Sequence, residues 1–429
     1  MTHAATRETI DAVWRMESAR LIAGVMRQVG DLSLAEDLAQ DALVAALESW
    51  PDAGVPKNPG AWLMAVAKRR ALDHHRRGSM LDRRHADLAR GLDEARPDPE
   101  AELHESIDDV IGDDLLRLIF ITCHPLLTVD ARVTLTLRML GGLGTEEIAR
   151  AFLVPVPTVQ QRIVRAKRSL RAAEVPFELP PPQELPERLE SVLAVVYLIF
   201  NEGYAATAGE DWIRPALCED ALRLGRILAE LAPGEPEVHG LVALMEIQAS
   251  RLKARRGPGG EPVLLMDQDR ARWDHLLIRR GLSALDRALR LGRPLGTYTL
   301  QAAIAAFHAR ARTPEETDWE GIVSLYEALA QVAPSAVVEL NRAVAVAMAR
   351  GPAAGLALVD ALAEGAELAD YHLLPAVRGD LLERLGRGQE AAREFEQAAA
   401  LCRNAPERAL LERRAAKAGA GGPSPDVDP

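Results

Sequence analysis

Apolar residues recur at intervals of three and four along most of the chain, which is the period of an amphipathic helix rather than of a strand. Residues 13–50 predict helices with one apolar stripe, formed by Leu34, Leu38, Ala42 and Ala45. After a Pro- and Gly-rich loop at 50–59, another helical pattern continues to Arg77. From Leu189 to about Ala418 the sequence is rich in Ala and Leu and keeps the same period. We therefore predict an all-α fold, with antiparallel helix pairs in the C-terminal half.

Residues 144–171 have the pattern of two short helices joined by a tight turn. Thr145 is a candidate N-cap, because the two acids that follow it suit the positive end of a helix dipole. Pro155 and Pro157 interrupt this first helix, and Thr158 is predicted to open the second. The predicted apolar faces are Ile148, Ala149, Phe152 and Leu153 in the first helix and Val159, Ile163, Ala166 and Leu170 in the second. This pattern predicts a helix-turn-helix.

The opposite face of the second helix is basic. It carries Gln160, Gln161, Arg162, Arg165, Lys167, Arg168 and Arg171, and no acid occurs before Glu174. Such a helix offers cations to phosphates, and amide or guanidinium groups to base edges in a major groove. The alternative is a solvated basic helix without a ligand, but caps, turn and both apolar faces agree on DNA recognition.

The net charge of −12 at first argues against a nucleic-acid partner. However, residues 1–175 carry 23 basic and 26 acidic residues, whereas the rest of the chain carries 28 and 37, so the acidity lies mainly in the C-terminal part. Positive charge is concentrated in residues 68–77 and in the second helix of the helix-turn-helix. Two basic patches on an acidic chain predict two contacts with DNA.

Changes in composition predict where domains and linkers meet. The acidic stretch at 81–110 and the Pro-rich stretch at 174–188 are expected to be linkers, the first of them flexible. The helical segments around them are residues 1–80, 111–173, 189–289 and 290–418, followed by a disordered tail at 419–429.

The C-terminal half contains two similar short segments, Leu228–Pro233 and Leu329–Pro334. Each is predicted to end one helix and to precede the next. Residues 380–398 match the Leu-Gly, Ala and Phe pattern of a tetratricopeptide repeat, so a tetratricopeptide-like array is predicted for 290–418.

No catalytic or metal-binding motif is apparent. Cys123, Cys218 and Cys402 are scattered and are predicted to be core residues, and the glycines at 141–144 lack the lysine of a phosphate-binding loop. The segment 201–204 (Asn-Glu-Gly-Tyr) is interpreted as a helix C-terminus with a glycine turn. We expect no cofactor, no metal and no enzymatic activity.

The longest apolar run, residues 192–200, is too short to span a membrane, and the N-terminus lacks the features of a signal peptide. We expect a cytoplasmic protein without a membrane partner.

The first 172 residues resemble a bacterial sigma-70 family factor of the extracytoplasmic-function (ECF) type. The segments that carry the resemblance are 35–41 and 62–77, similar to sigma region 2, and 144–171, similar to region 4. The whole chain looks like the subgroup with a C-terminal tetratricopeptide-like extension. The resemblance implies two partners, core RNA polymerase and promoter DNA with its minus-ten and minus-35 elements.

The resemblance also implies roles for individual residues. In region 2, Asp37, Gln40 and Asp41 match positions that bind the coiled-coil clamp of the polymerase, although a solvated helix face would look the same. Candidates for the separated strand of the minus-ten element are Lys57, Asn58, Lys68, Arg69 and Arg70. Trp62 matches an aromatic position of that helix but is equally compatible with a core role.

In region 4, the resemblance places Gln160, Gln161 and Arg165 at base-reading positions and Arg162, Lys167 and Arg168 at phosphate positions. Pro157 stands where a glycine is usual. The rival hypothesis is a helix-turn-helix regulator with a tetratricopeptide sensor, which leaves residues 13–77 unexplained. The extension is expected to hold a peptide, a metabolite or the sigma domains of its own chain, and to regulate those domains in cis. The alternative is that it merely stabilises the chain or recruits a protein.

Overall fold

The computed structural model describes residues 3–86 and 107–420. The chain divides into two compact units, Met1–Val195 and Val196–Pro429. Throughout the described residues the regular elements are helices, accompanied by two isolated β-bridges and no strand, which confirms the all-α prediction. None of the described helices is long and apolar enough to cross a membrane.

Seven helices lie entirely in the first unit, and an eighth begins there. They are α1 (His3–Val29), α2 (Leu32–Ala53), α3 (Pro59–Ala86), α4 (Ile107–Thr122), α5 (Val129–Met139), α6 (Thr145–Ala151), α7 (Val156–Ala172) and α8 (Leu185–Tyr204). Helix α1 packs on α2, α3 and α4, and α5 packs on α7, so the two sigma-like segments form one unit rather than two separate domains.

Helix α2 begins where Asp31 caps it. The Asp31 carboxylate accepts hydrogen bonds from the backbone N–H groups of Ser33 and Leu34 at 2.8 and 2.9 Å, which satisfies donors that the first turn leaves unpaired. The buried stripe of this helix differs from the predicted one, since Leu34 and Ala45 are only half-buried. The stripe consists of Ala35, Leu38, Ala39, Ala42 and Ala46.

The helix-turn-helix is confirmed, with small shifts at its ends. The N-cap of α6 is Gly144, whose N–H donates to the Glu147 carboxylate at 2.7 Å, and Thr145 is the first helical residue. Helix α7 begins at Val156 rather than Thr158, because Pro157 sits in the first turn, where no backbone N–H is needed. Leu153 is exposed rather than part of the apolar face, and it takes the left-handed conformation of the turn, with φ of 51°.

Both predicted linkers are shorter than expected. Helix α3 extends to Ala86 and α4 begins at Ile107, so only 87–106 of the first linker remain, and these lie outside the described residues. Helix α8 begins at Leu185, inside the predicted second linker. Its first turns pack on the end of α4. Arg188 donates to the Phe120 carbonyl at 2.9 Å, and Ser191 donates to the Cys123 carbonyl at 2.7 Å.

The second unit is a succession of helices that pack on their neighbours in the sequence. The helices are α9 (Pro215–Leu231), α10 (Pro236–Ala249), α11 (His275–Arg290), α12 (Thr297–Arg310), α13 (Trp319–Val332), α14 (Ala336–Arg350), α15 (Pro352–Ala363), α16 (Leu373–Arg384), α17 (Gly388–Leu401) and α18 (Ala405–Ala420). Three short 3-10 helices span Leu265–Asp267, Arg270–Arg272 and Pro314–Glu316. The predicted tail loses its first two residues to α18, and residues 421–429 lie outside the described residues.

The repeated sequence segments end helices as predicted. Helix α9 ends at Leu231, inside the first segment, and α13 ends at Val332, inside the second. In the last predicted repeat, Phe395 is fully buried, and any side chain at Gly379 would clash with it because a Cβ there would lie 2.8 Å from its ring. Paired helices that interlock through a small residue and a ring are compatible with a tetratricopeptide-like array.

The segment Asn201–Tyr204 ends a helix, as predicted, but Gly203 lies within the last helical turn and does not form a glycine turn beyond it. The segment is the last turn of α8, and Gly203 allows close packing, since a Cβ there would lie 2.8 Å from the backbone nitrogen of Cys218. Glu202 pairs with Arg214, and Tyr204 packs its ring against Arg255. The motif therefore organises arginines rather than simply ending a helix.

Candidate DNA-binding and polymerase-binding surfaces

Helix α7 has the two faces that its sequence predicts. Val159, Ile163, Ala166 and Leu170 are buried against the rest of the unit. Gln160, Gln161, Arg165 and Arg168 are exposed, so both candidate amides and the candidate base-reading guanidinium face solvent. The predicted polar face of α7 is therefore accessible to a ligand.

Two of the predicted phosphate contacts are engaged within the protein. Arg162 donates from Nη2 to the Asp130 carboxylate of α5 at 2.6 Å. Lys167 is only 13% exposed and pairs through Nζ with Glu36 of α2. In this conformation, Arg165, Arg168 and Arg171 are the exposed cations of the helix, and Arg171 is paired with Asp31.

Glu36 joins region 2 to region 4. It is 5% exposed and accepts hydrogen bonds from Arg138 Nε of α5 and Gln40 Nε2 of α2, at 2.6 and 2.7 Å, besides pairing with Lys167. A buried carboxylate needs such partners, because its charge is otherwise costly to desolvate. In the sequence, Glu36 stands only as a polar residue beside the apolar stripe of α2.

Further ion pairs connect the same two segments. Arg171 of α7 pairs with Asp31, and Arg15 of α1 pairs with Glu147 of α6 at 2.7 Å. Burial opposes ionisation of Asp31, but the N–H groups of Leu34 and Ser33 and the Arg171 guanidinium together hold its pKa below the usual value. Helix α7 is therefore held against α2 and its N-cap by two charged contacts, Lys167–Glu36 and Arg171–Asp31.

The proposed polymerase contacts lie on and beside the exposed side of α2. Asp37 is exposed. Gln40 is half-buried and is hydrogen-bonded to Glu36, and Asp41 is exposed but pairs with Arg70 of α3 at 3.0 Å. Asp37 is consequently the most accessible of the three.

The candidate minus-ten residues are mostly exposed around the start of α3. Lys57, Lys68 and Arg69 face solvent, whereas Arg70 is half-buried beside Asp41. Asn58 is exposed, but its side-chain oxygen accepts the Ala61 N–H at 3.1 Å and so caps α3.

Trp62 is half-buried and meets the buried Trp50 edge-on, with ring centroids 5.3 Å apart. It therefore has a packing role in the structure, as one of the two sequence interpretations expected.

All three cysteines are buried, as predicted. Cys123 lies 3.4 Å from the Thr136 hydroxyl, and burial raises its pKa. Cys402 lies 3.8 Å from a Glu407 carboxylate oxygen, which in turn lies beside His372, a neighbourhood that the sequence did not suggest.

Two segments of the first unit match known families. Residues 14–80 match sigma-70 region 2, and residues 117–170 match sigma-70 region 4. The matched segments contain α2 and most of α7, the helices that Glu36 joins. Together with the sigma factors among its relatives, the two matches support an RNA polymerase sigma factor of the ECF type. Residues 188–289 match a family of unknown function, DUF6596.

Individual relatives show how far each similarity extends. An uncharacterized protein of Rhizobium meliloti (strain 1021) is 44% identical over 391 residues, which cover 91% of both chains. The probable ECF RNA polymerase sigma factor SigI of Mycobacterium tuberculosis is 29% identical over 41% of this chain and 59% of its own length. The RNA polymerase sigma-H factor of Pseudomonas aeruginosa is 29% identical over 37% of this chain and 82% of its own length. No solved structure matches the chain.

Proposed function

We propose that this sigma factor directs promoter-specific transcription initiation through separate contacts on α2, on α3 with the loop before it, and on α7. Asp37, Gln40 and Asp41 would bind the clamp of core RNA polymerase. The minus-ten strand would be held by Lys57, Asn58, Lys68, Arg69 and Arg70. The minus-35 element would be read by Gln160, Gln161 and Arg165, with phosphates bound by Arg162, Lys167 and Arg168. The protein performs no active-site chemistry of its own.

The exposed polar face of α7 carries this proposal. It presents two amides and two guanidinium groups to solvent over a fully buried apolar face. A helix-turn-helix regulator would present the same face, but it would not account for the region 2 match or for the acidic exposed side of α2. The sigma function therefore explains more of the chain than the rival does.

The ion pairs of Glu36 give the free chain a closed form. Lys167 cannot neutralise a phosphate while its ammonium group is paired with Glu36. We propose that core polymerase separates region 4 from region 2, which frees Lys167 for the minus-35 backbone. Arg162 keeps its pair with Asp130 in this step, because both residues belong to region 4. Promoter binding by the free chain would then be weak, and strong only in the holoenzyme.

Run-off transcription with purified core polymerase tests the function. Binding-site selection on the holoenzyme first identifies a promoter, and we then expect transcripts that depend on both promoter elements and on this chain. A chain that failed to bind core polymerase, yet bound a duplex site tightly alone, would support the helix-turn-helix regulator instead.

We further propose that the second unit, as a tetratricopeptide-like array, regulates the sigma segments in cis. An extended helical array offers a concave surface for a partner segment, and its share of the acidic residues suits a basic one. Fragment 1–175 would lack the α8 contacts to Phe120 and Cys123, so fragment 1–195 is the better comparison. We expect transcription by fragment 1–195 to differ several-fold from that of the full chain, whereas equal transcription at all ionic strengths would refute cis regulation.

A further inference from the structure

Two arginines just beyond the end of α10 are buried in the second unit. Arg251 is 8% exposed and Arg255 is 7% exposed. The N–H of Arg255 donates to the Arg251 carbonyl at 3.0 Å, so the chain makes another helical turn and places both side chains on one face. Within the part of the chain that the structure describes, the Nε atom of each of these two arginines is buried without a hydrogen-bond partner.

Aromatic rings cover the flat faces of these guanidinium groups. The Arg255 guanidinium lies 3.6 Å from the centroid of the Tyr204 ring and 4.4 Å from that of Trp212. Arg251 lies 5.8 Å from the Tyr204 centroid and 5.9 Å from that of Trp273. Aromatic rings attract a guanidinium group that stacks on them. They provide no acceptors, however, for the N–H groups that lie in the guanidinium plane.

The unpaired buried atoms of these arginines and of the rings around them are all donors. The Nε atoms of Arg251 and Arg255 have no hydrogen-bond partner, and neither do the indole Nε1 atoms of Trp212 and Trp273. Buried N–H groups in folded proteins are nearly always paired. The cluster therefore requires an acceptor that these side chains do not supply.

The charges around the two arginines also favour a negatively charged partner. Burial lowers the pKa of Arg251, Tyr204 acts in the opposite direction, and the neighbouring Arg255 lowers the pKa further. Burial and the charges of Arg251 and Arg270 lower the pKa of His308 to about 4, so this imidazole is neutral near pH 7.

Nearby acids do not compensate the charge of Arg251 and Arg255. Glu202 forms an ion pair with Arg214, and Glu246 forms one with Arg226. Glu315 and Glu316 act on Arg270, whose Nη1 is in addition anchored to two backbone carbonyls at 2.7 Å. Buried charges without a counter-charge are strongly unfavourable.

We propose that the second unit binds a small multivalent oxyanion, with Arg251 and Arg255 as its principal ligands. The planar guanidinium edge matches two oxygens of a phosphate or a carboxylate group. Two cations without an acid between them favour a ligand with at least two negative charges. Tyr204, Trp212, Arg251, Arg255 and Trp273 all lie in the segment that matches the family of unknown function, so the site assigns a ligand class to that segment.

Calorimetric titration and thermal unfolding of the full chain test this site. The probes are pyrophosphate and citrate, each titrated at constant ionic strength, with sodium chloride as the reference salt. We expect saturable one-to-one binding and a rise in Tm with at least one probe. A response to pyrophosphate alone identifies phosphate ligands, and a response to citrate alone identifies carboxylate ligands.

Three variants separate a ligand site from a structural stack. Arg255→Lys keeps the charge but loses the planar edge, so we expect roughly tenfold weaker binding or more. Arg251→Met removes an uncompensated charge, so without anion it should raise the Tm, and it should abolish the shift caused by the probe. Arg279→Gln, which removes an exposed charge from α11, is the matched control and should change neither quantity.

The opposite results would overturn the proposal. If neither probe binds the full chain, or if Arg255→Lys binds as tightly as the unaltered chain, the cluster is not an oxyanion site. If Arg251→Met lowers the Tm and no probe shifts the unaltered chain, the arginines serve only to stack on the rings. The site does not depend on the proposed promoter contacts, so either proposal can fail alone.

Discussion

Glu36 of α2 pairs with Lys167 of α7, so a residue of the proposed polymerase-binding helix holds a residue of the proposed DNA-binding helix. Both side chains are largely buried, at 7% and 13% exposure. Arg138 supports the pair from α5, and its Nη1 also donates to the Leu143 carbonyl at 3.1 Å. The contact connects the two functions of the sigma segments through one carboxylate.

The first prediction concerns the strength of this contact. Glu36→Gln should lower the free energy of unfolding by about 3–5 kcal/mol, because it leaves Lys167 and Arg138 buried without their counter-charge. A double-mutant cycle with Lys167→Met should give a coupling of about 1–3 kcal/mol, measured by chemical denaturation.

The exposed pair Arg15–Glu147 is the control, because it spans the same two segments but is 55% and 42% exposed. Its coupling should not exceed about 1 kcal/mol. Equal couplings for the two pairs would contradict the proposed closing role of Glu36. If the closed form limits DNA binding, Glu36→Gln should also increase binding of the free chain to a minus-35 duplex.

The second prediction concerns the polymerase contact. Asp37→Lys should greatly weaken binding to core polymerase while leaving helicity unchanged, because an exposed charge contributes little to stability and much to partner choice. Asp41→Lys should have a mixed effect, since it also breaks the pair with Arg70.

The matched control is Asp52→Lys, which reverses an exposed acid near the end of the same helix. Pull-down assays with core polymerase compare the three variants. Equal retention of Asp37→Lys and Asp52→Lys would argue against a clamp contact at Asp37.

The third prediction separates base reading from phosphate binding on α7. Arg165→Ala should relax the preference at one minus-35 position and cost about 1–3 kcal/mol. Arg168→Ala should weaken binding to all sequences alike and lower the salt slope by about one. Lys167 is a poor choice for this comparison, because its substitution also breaks the Glu36 pair.

Binding-site selection with holoenzyme measures both effects, and Ser169→Ala serves as a neutral exposed control on the same helix. A selected sequence that is identical for Arg165→Ala and the unaltered chain would remove Arg165 from the base-reading positions.

The sequence predicted what local periodicity determines. All four buried residues of α7 follow from a spacing of three and four on one helix, and so do the exposed amides and arginines. Glu36 could not be found in this way, because its partners Arg138 and Lys167 lie 102 and 131 positions away. The available signal was its position beside the small-residue stripe of α2. The pattern predicts Leu38 and Ala42 of that stripe correctly but places Leu34 and Ala45 one residue before the buried Ala35 and Ala46.

The oxyanion cluster was missed for a similar reason. The spacing of four between Arg251 and Arg255 is visible in the sequence, but the rings that bury them come from α8 and from two separate loops. The sequence pattern places Tyr204 at a helix end and predicts a glycine turn there. The packing of Gly203 against α9 determines the conformation of this segment instead, and that contact cannot be predicted from the local sequence.

The last prediction is a pH dependence that comes from His308. Burial and the charges of Arg251 and Arg270 lower its pKa from 6.5 to about 4 in the folded chain. The unfolded chain therefore binds a proton between these pH values that the folded chain does not, and the free energy of unfolding must fall as the pH falls from 6.5 toward 4. The full effect is about 3 kcal/mol, because each pKa unit corresponds to about 1.4 kcal/mol.

Chemical denaturation of the unaltered chain and of His308→Gln at several pH values measures this effect, with the exposed His275→Gln as control. His308→Gln should lose this part of the pH dependence and His275→Gln should keep it. Parallel pH profiles for all three chains would show that His308 titrates like a solvated imidazole, and the positive potential around it would then have to be compensated.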